Sequence, residues 1–311
     1  MEILQQEGKE FIEAEPLEVM DFLDSRVVQK LHVPPENLHV VNDGARLYLH
    51  CSEGGLREYP MRKAFLLKVL RWFNFPTRLL GRLDIDTITM VLNDFLLNIS
   101  SGDVTVTLED GDALTVTSSK YNEVTDLEIL DCCSSLGIRK ISRNDYFMRV
   151  YSEANCEVEP EPGDICSFAY NVVNSETGFR ALSLSHYILR YICSNGAAVP
   201  VKGMQKRAHY GYAQGELFGL LQKHLAGGEA MRGKIIEALK ASIGTRLNGE
   251  RDKIIRSVDF LLGNGSGSTV LRRLPPEATR YDLFNELTSM AKQYPIGIRL
   301  QLEIIAGGLL N

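Results

Sequence analysis

The 311-residue chain holds no apolar run approaching the roughly 18 residues of a membrane span, and its first residues, MEILQQEGKEFIEAEPLEV, lack the basic-then-apolar pattern of a signal peptide. These absences set the expectation of a cytoplasmic protein with no membrane partner. Cysteine is scarce: Cys51, Cys132, Cys133, Cys156, Cys166 and Cys193 are too few for a disulfide framework, and none forms a CxxC pair. Free, mostly buried thiols are expected. GNGSGST at 263–269 has the glycines of a phosphate loop but no lysine, and its glycines lack the Rossmann spacing, so it reads as a flexible linker. No nucleophile elbow surrounds Ser183 or Ser185, and no acid is followed by the spaced Glu-x-Lys of a two-metal nuclease. The residues carry no catalytic signature and call for no cofactor.

Hydrophobic residues at 44 % and charged ones at 24 % are those of a globular protein large enough for one or two domains. The net charge of −6 hides an asymmetry: residues 1–198 carry 18 Lys and Arg against 30 Asp and Glu, whereas residues 199–311 carry 16 against 10. Either the two parts attract each other, within a chain or between copies, or the basic part meets a polyanion.

Residues 1–31 read as helix, in two pieces broken at Pro16. Asp43-Gly44 and Asp110-Gly111 lie between alternating runs and predict two hairpins. MRKAFLLKVLRWF fits a helix inside a basic island, where Arg57, Arg62, Lys63, Lys68, Arg71, Arg78 and Arg82 face one acid, Glu58. Asp86 is expected to cap the next helix. A helix over 126–136, a strand over 146–151 and a polar loop over 152–164 follow; the loop is a possible domain seam. The domain expectation is an N-terminal segment over 1–59 and a main domain over 60–311 with a basic helical part from 199. Three stretches near the end have helical periodicity, and Thr279 with Asp282 resembles a capping box. Hairpins first and helices last, without regular alternation, predict an α+β fold with antiparallel sheets.

The centre of the chain, 171–211, reads as two extended runs joined at Ser-Glu-Thr-Gly, a second turn at Ser194-Asn195-Gly196, and a basic tail. Asn174, Ser175 and Gly178, then Arg190, Cys193, Asn195 and Gly196, then Thr279, Tyr281, Asn285 and Thr288, resemble in order and spacing the phage- and plasmid-associated proteins grouped as domain of unknown function 932. SSKYNEV at 118–124 fits the same pattern. The resemblance covers about residues 60–310 and implies a mobile-element origin; it imports no activity.

Nucleic-acid binding needs cations for phosphates and, for single strands, aromatic rings for bases. Lys202, Lys206, Arg207, His209, Tyr210 and Tyr212 lie within eleven residues, and Arg180 and Arg190 precede them. On a regular strand Tyr187 and Tyr191 share one face, which serves equally as core. Arg251, Lys253, Arg256, Arg272, Arg273 and Arg280 extend the basic surface. A metal site from Glu176, His186, Cys193 and His209 is disfavoured, since His186 and Cys193 fall on opposite strand faces. The pairs Glu159/Glu161 and Asp84/Asp86 read as loop and cap residues. The expectation is an oligomeric mobile-element protein that binds nucleic acid, single-stranded DNA above all, as a recombination or annealing accessory. The competing expectation is a protein-binding module that inhibits or assembles with a host complex through the acidic part.

Overall fold

A computed structural model of the chain describes residues 7–52, 55–99, 102–152, 156–190, 195–200, 219, 222–223, 228–247 and 251–310. The fold is α+β: antiparallel sheets in the N-terminal and central parts and helices in the C-terminal part. The largest sheet is ordered β1 (Phe11–Ala14), β8 (Ile138–Arg143), β9 (Met148–Ser152), β11 (Cys166–Asn174), β12 (Ser183–Arg190), β13 (Asn195–Pro200), with β10 (Cys156–Val158) also paired to β11. Two three-stranded sheets flank it, β2 (Val28–Val33) with β6 (Val104–Glu109) and β7 (Asp112–Ser118), and β3 (Leu38–Asn42) with β4 (Leu47–Cys51) and β5 (Arg57–Pro60).

The Asp-Gly hairpins form as predicted, β3 with β4 and β6 with β7. Between the smaller sheets pack α2 (Lys63–Trp72) and α3 (Ile85–Leu97), and their apolar faces join residues 33–116 in one cluster that runs across residue 59. Within the described residues 7–31 the two expected helical pieces reduce to one helix between two strands. Pro16 opens α1 (Pro16–Ser25) instead of breaking a longer one, because a proline at N1 gives up a donor that has no helical partner anyway. β1 precedes it and pairs with β8; β2 follows and pairs with β6. Asp84, not Asp86, caps α3, its carboxylate accepting from the Thr87 amide at 2.7 Å. Asn195 and Gly196 open β13 instead of closing a turn.

After β13 come α5 (Gly228–Gly244), α6 (Arg251–Leu262), α7 (Ser266–Arg272), α8 (Arg280–Ala291) and α9 (Ile296–Gly307). Thr279 and Asp282 form the predicted capping box on α8. The glycine stretch at 263–269 is not a linker: Gly263 and Gly265 adopt positive φ to turn the chain, and the remainder starts α7. α9 crosses the large sheet. Arg299 pairs with Glu13 of β1, Glu303 with Arg149 of β9, and Gly307 lies so close to Ala198 of β13 that a Cβ there would stand 2.2 Å from its carbonyl oxygen.

A buried charge network joins the β2-β6-β7 sheet to the large one through α4 (Asp126–Cys133) and the turn after β11. Glu109 accepts from Arg26 at 2.8 Å, from Arg62 at 2.7 Å and from Arg143 at 3.3 Å. Arg26 also holds Glu176, Arg62 holds Asp145, and Arg143 holds Asp126. Four buried carboxylates thus share three guanidinium groups. Burial, and then Glu176 beside it, pushes the Asp126 carboxyl up to about 7.

Candidate functional site

The turn at 175–180, central to the sequence, is fixed from every side. Ser175 Oγ donates to the Tyr146 carbonyl at 2.6 Å and accepts from the Phe179 amide at 2.9 Å. Tyr121 donates to the Ser175 carbonyl, Thr177 to the Asp145 carbonyl, and Arg26 grips Glu176 with two donors at 2.7 and 2.8 Å. Gly178 has φ +70°, so the backbone needs glycine, and a Cβ there would stand 2.6 Å from Lys68 Nζ and push that amine aside. What this rigid turn presents outward is Phe179 and Arg180.

Two cavities open beside them. The larger, about 1090 Å³, lies between α2, Tyr146, Phe147, the turn and the N-terminus of α9. The smaller, about 210 Å³, is lined by Lys68, Arg71, Trp72, Thr117 and Gly178. Lys68 Nζ and Arg71 Cζ each stand 5.2 Å from the Phe179 ring centroid, and Tyr146 meets that ring edge-on at 5.1 Å. Arg180 lies 4.7 Å above the Phe147 ring and reaches the Gly297 carbonyl at 3.5 Å. The far end of the cleft carries Glu7 and Glu10, and Glu7 is taken up by Lys63 at 2.7 Å.

The cations at the near end are under electrostatic stress. Burial pulls the Lys68 amine down to about 8, and Arg71 adds to the effect; the Lys68 amine donates to the Gly178 carbonyl at 2.7 Å. Burial, then Arg71 and Arg149, also holds Arg180 below the usual arginine range. Among the described residues no acid forms an ion pair with Lys68, Arg71 or Arg180. At the same end α9 begins after Pro295 without a side-chain cap, and its N-terminus adds a partial positive charge. Three unneutralised cations, a helix N-terminus and aromatic rings suit an anion that also has flat apolar surface. No family model, curated protein or solved structure matches the chain.

Of the residues singled out in the sequence, Arg180 belongs to this site. Arg190 sits inside the protein at 8 % exposure, its guanidinium held by both oxygens of Asp164, which also accepts from Tyr281. Lys202, Lys206, Arg207, His209, Tyr210, Tyr212 and Cys193 lie outside the described residues. Asn174 donates to the Val124 carbonyl and to Asp126, and Thr288 caps back onto the Asn285 carbonyl. Gly196 is small because a Cβ would strike the Tyr187 hydroxyl, and Tyr187 itself is core. Glu176 is committed to Arg26 and His186 is buried beside Tyr170; among the described residues no three His, Cys, Asp or Glu side chains gather as for a metal. Lys68 and Arg71 belong to the basic island visible in the sequence, but Phe179 and Tyr146 were not readable as functional. The one local signal is an aromatic-cation pair directly after the turn.

Proposed function

We propose that the protein binds single-stranded nucleic acid in this cleft, with phosphates at Lys68, Arg71 and Arg180 and bases against Phe179 and Tyr146. The observation that carries the reading is the convergence of these three cations, free of acid partners among the described residues, on one aromatic cluster at a cavity mouth. Cations supply affinity, and rings accept bases of any sequence. A concave site favours a single strand, whose bases are free to turn inward, over a duplex. The basic stretch 202–212, rich in cations and tyrosines in sequence, is included in the proposal as a second candidate segment, and the order of the motifs at 174–178, 190–196 and 279–288 keeps a mobile-element setting, as a recombination or annealing accessory, within it.

The test is anisotropy of labelled single-stranded and duplex oligonucleotides across a salt series. Each phosphate contact on a single strand contributes about 0.7 to the slope of log affinity against log salt. Arg71→Ala with Arg180→Ala is therefore expected to lower the slope by about 1.4. Phe179→Ala is expected to weaken binding by about 1–3 kcal/mol with the slope unchanged. Wild-type slope and affinity retained in the arginine double variant would refute this site; loss only in a Lys202, Lys206 and Arg207 triple alanine variant would move the site to that stretch.

A further inference from the structure

Two exposed helix faces complement one another and cannot meet within one chain. On α1 Leu17 is 70 % and Met20 39 % exposed, and helical spacing places Asp21 and Asp24 on the same face. On α6 Phe260 is 94 % exposed, the highest value among the exposed large apolar side chains, and Lys253 and Arg256 share its face. Neither cation forms an ion pair with an acid among the described residues. One face is apolar with two acids; the other is aromatic with two cations.

Their positions make the contact intermolecular. α1 buries Val19 and Leu23 against Ile141 of β8, next to the β1 edge of the large sheet. α6 buries Ile254 and Val258 in the cluster that covers Ile188 of β12 and Ala197 and Val199 of β13, at the opposite edge.

We infer that α1 of one copy docks on α6 of a second copy, so that the chain assembles head to tail. A surface that joins a different surface leaves one of each kind free on every dimer, and the array grows until it closes as a ring or continues as a filament. Helices of 10 and 12 residues span about 15 and 18 Å, so this contact falls below the roughly 1,600 Å² of a standard interface. The association is therefore concentration-dependent, and its ion pairs are weakened by salt. It rests on surfaces separate from the cleft and stands whether or not nucleic acid binds there.

The test is sedimentation velocity of the full chain over a wide concentration range at low and high salt. Wild type is expected to give a mass that grows with concentration. Phe260→Asp and Leu17→Asp/Met20→Asp are each expected to stay monomeric, with unchanged circular dichroism because the side chains are exposed. An equimolar mixture of the two variants retains one good face of each kind and is expected to stop at a heterodimer. Lys253→Glu/Arg256→Glu is expected to raise the dissociation constant by about tenfold or more, and Asp21→Lys/Asp24→Lys in the mixed partner to recover it. Three results would overturn the inference: a wild type monomeric at every concentration, an assembly unaffected by Phe260→Asp, and a monomer whose α1 face is occupied by a different protein.

Discussion

Glu303 is the side chain on which the largest structural effect is expected. It lies on α9 at 1 % exposure and is shared by Arg149, Arg299 and the Tyr187 hydroxyl. Arg149 is fully buried, packed 4.4 Å from the Tyr151 ring, with Asn171 as its other acceptor. Glu303→Gln removes the carboxylate that Arg149 shares with Arg299; Arg299 keeps Glu13, whereas Arg149 is left as an uncompensated buried cation, a loss of about 3–5 kcal/mol. Arg149→Met is milder, at about 1–3 kcal/mol, since Glu303 keeps Arg299 and Tyr187 and methionine fills most of the space. Urea unfolding followed by the fluorescence of Trp72, the sole tryptophan, measures both. The reasoning fails if Arg149→Met proves as damaging as Glu303→Gln. A double variant, Arg149→Met with Glu303→Met, is expected to be more stable than Glu303→Gln alone, because both charges leave together.

Gly178→Ala is expected to destabilise by about 1–2 kcal/mol through the positive φ and to weaken oligonucleotide binding by displacing Lys68, read by urea titration and anisotropy. Lys68, with its amine down to about 8, loses charge as pH rises, whereas a bound phosphate favours the charged form; affinity is expected to fall about tenfold between pH 7 and 9, and Lys68→Arg to remove that dependence. Burial, then Arg232, pulls His186 down to about 4 from 6.5. The unfolded chain therefore takes up this proton first, stability drops as pH falls from 6.5 towards 4, and His186→Phe is expected to flatten that slope in denaturation midpoints.

Local chemistry made much of the fold legible. Asp43-Gly44 and Asp110-Gly111 specify their hairpins because positive φ is cheap at these turns, and Thr279 with Asp282 marks the start of α8 by satisfying donors within one helical turn. The errors fall where distant partners decide. Residues 11–14 and 28–33 become strands because β8 and β6 lie beside them, and Arg299 and Glu303 of α9 find their partners on β1 and β9, far away in the sequence. Arg190 likewise looked like a surface cation, and only Asp164, 26 residues away, shows why it is inside. The cleft draws on α2, the 146–147 and 175–180 turns and the start of α9, so no window of sequence contains it.

The contacts that α9 makes with β1, β9 and β13 also bear on when the cleft is complete. Arg299 meets Glu13, far away in the sequence, and that pair forms only once the long loop between them has closed. A nascent chain tethered at its growing end therefore has the turn, Phe179 and Lys68 in place while one wall of the cleft is still missing. On the proposed reading, a chain without residues 296–307 is expected to bind oligonucleotides more weakly than the full chain, because that wall of the cleft is missing.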